Sequence, residues 1–275
     1  MNEVSGTKVK KKLPRRPHTL IVGGTRGIGR ALVKTLVNDS HDLSVIGRHT
    51  PSQSDERSTS VNYLVADATK EEELSAVLLG IIAKYGPLNN LVFLQRYRGN
   101  GDIWNEEIAT SLTATKNSIE ILKDSFCINE NNSIVVVNSI ACHLIAREQP
   151  LSYHVVKAAL EQLVRYYAVM LGPAGIRVNS VSLGTVLKDE SKQFYEDNKD
   201  LSDLYKKITP LGRIGTAEEV SKVINFLCGS QASFVTGQNI IVDGGVSLQW
   251  HESLSRSIVN LDNLKVTRPT TEKKS

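Results

Sequence analysis

The chain has 275 residues and a mass of 30.2 kDa; 40% of its residues are hydrophobic, and 33 Lys and Arg residues oppose 29 Asp and Glu residues. This composition is typical of a globular protein and excludes a disordered, collagen-like or disulfide-framework protein. Every apolar run is far shorter than the roughly 20 residues of a membrane-spanning helix, so we expect no membrane partner.

The positive charge is concentrated at the N-terminus. Residues 1–18 contain six basic residues and one acid, so this segment carries a charge of +5. Because the whole chain has a net charge of +4, the remaining residues carry −1. We predict a disordered basic arm over residues 1–18, with nucleic-acid or anionic-surface contact as the less favoured alternative. The arm lacks the apolar stretch of a secretory signal. Three cysteines without a CxxC pair are typical of reduced thiols, so we expect a cytoplasmic protein.

From Thr19 onwards, short β-branched runs alternate with longer amphipathic segments, which predicts βαβ units around a parallel sheet. We therefore predict an α/β fold with a doubly wound, seven-stranded parallel sheet in one domain, residues 19–248. The predicted strands are 20–23, 42–46, 62–65, 90–94, 134–138, 177–181 and 239–242. The predicted helices are 28–37, 70–85 behind Thr69 as N-cap, 104–126, 152–171, and 217–228 behind Thr216 as N-cap.

Three segments carry further expectations. The polar residues 185–210 predict a mobile flap, and residues 249–275 predict a C-terminal tail. The helix 152–171 has apolar residues around most of its circumference, and a helix of that kind is buried on most sides. Because one sheet covers only one side of it, we predict a homodimer or homotetramer that uses this helix.

A glycine-rich loop, Val22 to Gly29, lies between the first predicted strand and the first predicted helix. Its glycines let the backbone approach a pyrophosphate, and the free N–H groups at the start of the helix stabilise the anion. The spacing is Gly-x-x-x-Gly-x-Gly, which differs from the common Gly-x-Gly-x-x-Gly dinucleotide fingerprint. A tight turn without a ligand is the alternative.

The end of the second predicted strand bears on the choice of dinucleotide. NAD sites usually place an acid there, roughly 20 residues after the loop, to bind the ribose 2′-hydroxyl. Here the residue is Arg48, and Thr25 and Arg26 lie within the glycine loop. Two arginines suit a 2′-phosphate, so we predict NADP (as NADPH) as the cofactor, with NAD less favoured.

Tyr153 and Lys157 are one helical turn apart and therefore share a helix face. An ammonium ion beside a phenol favours the phenolate, and such a tyrosine can exchange a proton with an alcohol or carbonyl oxygen. The spacing alone also arises by chance, as at Tyr195 and Lys199. Ser139 ends the fifth predicted strand shortly before Tyr153, whereas no strand-end hydroxyl precedes Tyr195, so we interpret only the first pair as functional.

With these motifs in order along residues 20–246, the chain resembles the short-chain dehydrogenase/reductase family, and most nearly its 3-oxoacyl carrier protein reductase type. The resemblance implies hydride transfer between a nicotinamide and a small carbonyl or alcohol substrate. Tyr153 would be the general acid and base, Ser139 would hold the substrate oxygen, and Lys157 would bind the nicotinamide ribose. The implied cofactor contacts are Gly23, Gly27, Ile28 and Gly29 at the pyrophosphate, Asp67 and Ala68 at the adenine, and Gly184 and Val186 at the nicotinamide.

Two positions depart from the family pattern. The family's Asn-Asn-Ala-Gly is Phe93-Leu94-Gln95-Arg96 here, and Ser111 stands where an Asn normally supports a proton relay. The alternative function is therefore a family member that binds a nucleotide or serves as a regulatory subunit without turnover.

The remaining expectations concern metals and the substrate. The six histidines show no ligand spacing, so we predict no metal, and we interpret His154 as a surface residue. Basic residues expected near the pocket, namely Arg96, Arg98, His143 and Arg147, suggest an anionic substrate.

Overall fold

The computed structural model describes residues 15–49, 60–128 and 130–259, and its core is a seven-stranded parallel sheet in a single domain. The strand order is β3-β2-β1-β4-β5-β6-β9, which confirms the doubly wound, seven-stranded architecture. The sheet strands are β1 (His18–Val22), β2 (Asp42–Gly47), β3 (Val61–Val65), β4 (Asn90–Phe93), β5 (Asn132–Ser139), β6 (Ile176–Leu183) and β9 (Asn239–Val242).

The order of strands places a crevice beside the glycine loop. The chain winds outwards from β1 through β2 to β3 and then returns to β4 on the other side of β1. Ligands of such sheets bind outside the carboxyl ends of the strands where the winding reverses. The carboxyl ends of β1 and β4 therefore mark the expected site.

Helices cover both faces of the sheet, which is why the strands are apolar on both sides. Helices α1 (Gly27–Asn38) and α8 (Ala217–Cys228) bury Leu32, Leu36, Val220, Ile224 and Leu227 against one face. Helices α2 (Glu71–Tyr85), α4 (Ala114–Leu122) and α5 (Leu151–Leu171) bury Leu78, Ile119, Val156, Leu160 and Val164 against the other.

The single helix predicted over residues 104–126 is present as an unbroken helical segment, but the prediction missed a π-helical turn inside it and placed its end four residues too late. The structure has a short helix α3 (Ile103–Glu107), a π-helical turn over Ile108–Thr113, and then α4, which ends at Leu122. Within the wide turn, the Ser111 carbonyl accepts a hydrogen bond from Thr115 Oγ1 at 2.7 Å. A side-chain donor at this point accompanies the wider backbone turn, and the amphipathic pattern does not reveal it.

The two predicted N-caps have opposite outcomes. Thr216 caps α8 as predicted, because its Oγ1 accepts from the Glu219 amide at 3.2 Å while Glu219 Oε2 accepts from the Thr216 amide at 2.9 Å. The Thr69 cap is wrong, because α2 begins at Glu71 with Lys70 as its N-cap. Asp67 Oδ1 accepts from both the amide and the hydroxyl of Thr69, which holds that residue in a turn before the helix.

The predicted flap and tail contain regular structure. Two helices, α6 (Asp189–Asp197) and α7 (Lys199–Ile208), lie between the short paired strands β7 (Val186–Leu187) and β8 (Gly215–Thr216). After β9, helix α9 (His251–Ile258) contacts α7, and Lys207 Nζ donates to the Ile258 carbonyl at 2.8 Å.

The predicted N-terminal arm overlaps the first strand of the sheet by one residue. Most of the predicted arm lies outside the described residues, but its last residue, His18, is buried in β1 and its ring contacts Ser44 Oγ at 2.9 Å.

Among the described helices, none has both the length and the apolar character needed to cross a bilayer.

Candidate active site

The loop after β1 requires glycine at the positions that the sequence analysis identified. Gly23 and Gly27 have φ values of +90° and +51°, in the region that favours glycine. A Cβ at Gly23 would lie 2.7 Å from the Gln95 amide nitrogen, and one at Gly29 would overlap the Gly23 carbonyl. The loop therefore brings its bare backbone close to the strand ends and to the start of α1.

A cleft of about 490 Å³ opens above this loop at the carboxyl edge of the sheet. Ten of the twelve predicted cofactor contacts line it, which fits an extended dinucleotide. They are Gly23, Thr25, Arg26, Gly27, Ile28, Gly29, Arg48, Asp67, Ala68 and Val186. Of the other two, Gly184 packs on Asp243, where a Cβ would lie 2.8 Å from the Asp243 Cβ, and Lys157 is buried behind the cleft.

The lining of the cleft is rich in cations. Five Arg and Lys side chains and three carboxylates lie along it, namely Arg26, Arg48, Arg96, Arg98, Lys188, Asp67, Glu106 and Glu190. Burial, followed by the nearby charges of Arg98 and Arg96, lowers the pKa of Lys188. Such an excess of positive charge is suited to an anionic ligand.

Tyr153 and Lys157 lie together at the start of α5, and Ser139 lies at the end of β5. Tyr153 and Lys157 lie on the first two turns of α5, are 8% and 4% exposed, and place Lys157 Nζ 5.5 Å from the centre of the Tyr153 ring. Ser139 ends β5 and its Oγ accepts from the Ala141 amide at 3.2 Å. Asn138 Nδ2 donates to the Lys157 carbonyl at 3.0 Å and so ties β5 to α5. The strand that ends at Ser139 is thus attached to the helix that carries Tyr153 and Lys157.

Burial lowers the pKa of Lys157 to about 8. The carboxylate of Glu107 opposes this shift, and the cation of Arg96 adds to it. In the structure the ammonium donates to the Val137 carbonyl at 3.5 Å. Lys157 therefore gives up its proton much more readily than a solvated lysine.

Glu107 is a site residue that the sequence analysis missed. It is 3% exposed, and its Oε1 accepts from the hydroxyl of Ser111 at 2.7 Å. The π-helical turn carries Ser111 to this carboxylate, so the predicted Ser111 position is part of the same buried polar cluster as Lys157. The sequence signal that could have identified Glu107 is the presence of a carboxylate on the apolar side of the predicted helix 104–126.

Arg96 lies directly over the Tyr153 ring. Its guanidinium carbon is 4.4 Å from the ring centre, its NH2 group donates to Gln149 Oε1 at 2.6 Å, and its buried Nε has no hydrogen-bond partner among the described residues. Arg96 and Arg98 line the cleft as expected, whereas His143 and Arg147 are exposed outside it. Two of the four basic residues expected near the pocket therefore line it. Lys188, which belongs to the predicted flap, lines it as well.

Three relatives are similar to the chain over most of its length. The family described as enoyl-(acyl carrier protein) reductase matches residues 22–247. The chain is 32% identical over 253 residues to isoepoxydon dehydrogenase of Penicillium expansum, covering 83% of this chain and 94% of the relative. It is 27% identical over 242 residues to a 3-oxoacyl-[acyl-carrier-protein] reductase of Chlamydia muridarum, covering 83% and 96%. The structure of a short-chain type dehydrogenase/reductase from Mycobacterium ulcerans matches with a TM-score of 0.76 and 28% identity, covering 85% and 90%.

The chain belongs to the short-chain dehydrogenase/reductase family. The resemblance drawn from its motifs is confirmed, and the protein is an NAD(P)-dependent oxidoreductase of this family.

His154 of this oxidoreductase is buried, which contradicts its interpretation as a surface residue. Its Nδ1 and Nε2 lie 3.1 Å from the carbonyl oxygens of Ala141 and Ala146. The ring therefore fastens the loop after Ser139 to the first turn of α5. A lone histidine beside Tyr153 gave no sequence signal for this role.

The fold also brings together three groups that sequence spacing did not connect. The donor atoms of Cys142, His143 and Glu161 lie within 4.8 Å of one another. Both oxygens of the Glu161 carboxylate already have partners, His143 Nε2 at 3.1 Å and Arg165 NH2 at 2.5 Å. We interpret this group as an ion-pair cluster on the surface of α5 and the loop before it.

The second Tyr and Lys pair is divided between two helices. Helix α6, which carries Tyr195, ends at Asp197, and Lys199 begins α7 after the capping residue Asn198. Tyr195 lines the cleft, and burial raises its pKa. This pair therefore lacks the shared helix face of Tyr153 and Lys157.

Proposed function

We propose that this protein is an NADP-dependent oxidoreductase that transfers a hydride between the nicotinamide and a carbonyl or secondary alcohol of a small, anionic substrate. The observation that carries the proposal is the buried pair of Tyr153 and Lys157, whose Tyr153 ring lies under Arg96, a residue that lines the cleft of the glycine loop. The cations of Arg96, Arg98 and Lys188 support an acidic group on the substrate.

The side chains divide the chemistry between them. The bound nicotinamide supplies the hydride. The Ser139 hydroxyl holds the substrate oxygen, and the Tyr153 hydroxyl donates the proton that this oxygen takes as the carbonyl carbon is reduced. Lys157 supplies a positive charge beside the Tyr153 ring, and Ser111 with Glu107 forms the polar cluster next to it.

Isotope transfer to a panel of carbonyl compounds tests this proposal. NADPH with deuterium at both C4 positions is incubated with keto acids, their esters and neutral ketones, and the products are analysed by mass spectrometry. We expect alcohols that carry one deuterium, formed faster from the acids than from their esters. Equal rates for acids and esters would contradict the anionic substrate, and no labelled alcohol from any compound would contradict the reaction.

The cofactor preference rests on two arginines at the adenosine end of the cleft. Arg26 and Arg48 line it together with Asp67 and Ala68. We expect Arg48→Ala to weaken NADPH binding at least about tenfold, or about 1.4 kcal/mol, while NADH binding stays the same, because only NADPH carries the 2′-phosphate. Fluorescence titration of both nucleotides measures this.

Arg256→Ala is the matched control, since Arg256 lies on α9 and pairs with Glu252 outside the cleft. Equal weakening of NADPH and NADH by Arg48→Ala would contradict the 2′-phosphate interpretation.

The assembly proposed is a homodimer or homotetramer that uses α5. One side of this helix is buried in the core, while Val155, Tyr166, Val169 and Met170 on it are 42%, 56%, 74% and 55% exposed. An apolar surface of this kind is typical of an interface.

A carboxylate in that surface should dissociate the assembly. We expect sedimentation velocity to show an oligomer for the wild type and a monomer for Val169→Asp, because an unpaired charge is costly to bury. Ile128→Asp, at an exposed apolar residue outside α5, should leave the oligomer intact. A monomeric wild type at micromolar concentration would contradict the proposal.

We place the protein in the cytoplasm, and the free thiols of Cys127, Cys142 and Cys228 support this.

A nucleotide-binding or regulatory subunit is the second candidate function. Arg96 over the Tyr153 ring favours it, because this side chain occupies space beside the proposed general acid. NADPH binding without deuterium transfer to any carbonyl compound would support this second function.

A further inference from the structure

A carboxylate from the flap lies on the N-terminus of α1. The Gly27 amide donates to Glu190 Oε1 at 3.1 Å, and Arg30 NH2 donates to the same oxygen at 2.8 Å. Arg30 also pairs with Asp189 at 3.2 Å. Helix α6 is thus attached to the glycine loop by contacts that span 163 residues of sequence.

The Gly27 amide is one of the groups that the proposed cofactor site offers to the pyrophosphate. The N-terminus of a helix binds anions through its free N–H groups and its dipole, and a side-chain carboxylate uses the same groups. The contact is close, because a Cβ added at Gly27 would lie 3.6 Å from Glu190 Oε2. The carboxylate and a pyrophosphate therefore compete for the same position.

The charges around the contact favour the more highly charged anion. Burial alone would raise the pKa of Glu190, but the amides of Glu190 and Gly27 and the cations of Arg30 and Arg26 outweigh burial and lower it. Glu190 is thus ionised at neutral pH. With five Arg and Lys side chains and only three carboxylates along the cleft, a pyrophosphate with two negative charges compensates the site better than one carboxylate does.

We propose that Glu190 is an internal ligand of the pyrophosphate site, which the cofactor must displace, so that cofactor entry detaches α6 from the glycine loop. This inference rests on the cofactor site of the proposed function. Ser191 and Tyr195 of α6 line the same cleft, so displacement of Glu190 also moves the wall that faces the substrate. Glu190 in this way determines cofactor affinity.

The test compares the wild type with Glu190→Gln, Glu190→Ala and the control Glu196→Gln. Glu196 lies on the same helix but pairs with the exposed Lys192 at 3.9 Å, so its variant has the same charge change without the α1 contact. NADPH binding is followed by nicotinamide fluorescence, and inorganic pyrophosphate binding by calorimetry. We expect both Glu190 variants to bind NADPH and pyrophosphate about tenfold more tightly, as expected when the internal ligand leaves only about a tenth of the molecules competent. Glu196→Gln should match the wild type.

The outcomes separate this inference from the proposed function. If the wild type binds NADPH and the Glu190 variants bind it no more tightly, the inference is overturned while the cofactor site stands. If NADPH binds none of the proteins but pyrophosphate binds the Glu190 variants more tightly, the inference holds and the proposed function fails. If neither ligand binds any protein, both are overturned.

Discussion

Replacement of Tyr153 by Phe is expected to lower the turnover number by at least about a hundredfold, since a positioned general acid contributes on the order of 10² to 10⁴ in rate. The variant keeps the ring that packs against Arg96 and Lys157 and removes only the hydroxyl that would donate the proton. NADPH affinity should therefore stay close to that of the wild type. Steady-state kinetics and fluorescence titration measure the two quantities.

Tyr85→Phe is the control for this change, because Tyr85 ends α2 far from the cleft lining. It should retain full activity. A Tyr153→Phe enzyme with wild-type turnover would remove Tyr153 from the mechanism, and equal losses of turnover and NADPH affinity would indicate a structural role.

Lys157→Met is expected to abolish activity and to raise the stability of the protein at neutral pH. Burial lowers the pKa of Lys157 from 10.5 to about 8 in the folded state. Holding this ammonium in the fold below pH 8 thus costs on the order of 3 kcal/mol, at 1.36 kcal/mol per pH unit. Methionine has a similar shape and no charge, so it avoids this cost.

The pH dependence of stability has a definite sign. Between about pH 8 and 10.5 the folded protein has released the Lys157 proton while the unfolded chain still binds it, so the wild-type free energy of unfolding rises through this window. The stability advantage of Lys157→Met should be constant below pH 8 and disappear by pH 10.5. Urea unfolding at a series of pH values measures it, with the exposed Lys222→Met as control. An advantage that does not change with pH would contradict a buried, charged Lys157.

Local patterns were sufficient to predict the sheet and the glycine loop. Each strand is a short β-branched run because both faces of the sheet are covered. Part of the demand for glycine in the loop is local as well, since a Cβ at Gly29 would overlap Gly23 and both Gly23 and Gly27 have positive φ values. The Thr216 capping box is equally local, since both of its hydrogen bonds join residues three positions apart.

Most of the remaining site features depend on tertiary contacts that no local pattern contains, whereas the Thr69 turn depends on a competing local contact. Glu190 reaches Gly27 across 163 residues, and Arg96 reaches Gln149 across 53. Thr69 had the residue type of an N-cap, but the nearby Asp67 side chain holds it in a turn. His154 was misjudged because its burial depends on how the loop after Ser139 folds over α5.

Titration of the purified wild-type protein with NADPH, and separately with NADH, tests the central claim most directly. Nicotinamide fluorescence reports binding and requires no substrate. The account predicts that NADPH binds and that NADH binds at least about tenfold more weakly, a difference of about 1.4 kcal/mol. Failure of NADPH to bind, or NADH binding as tight as NADPH, would contradict the NADP-dependent reaction proposed for Tyr153, Lys157 and Ser139.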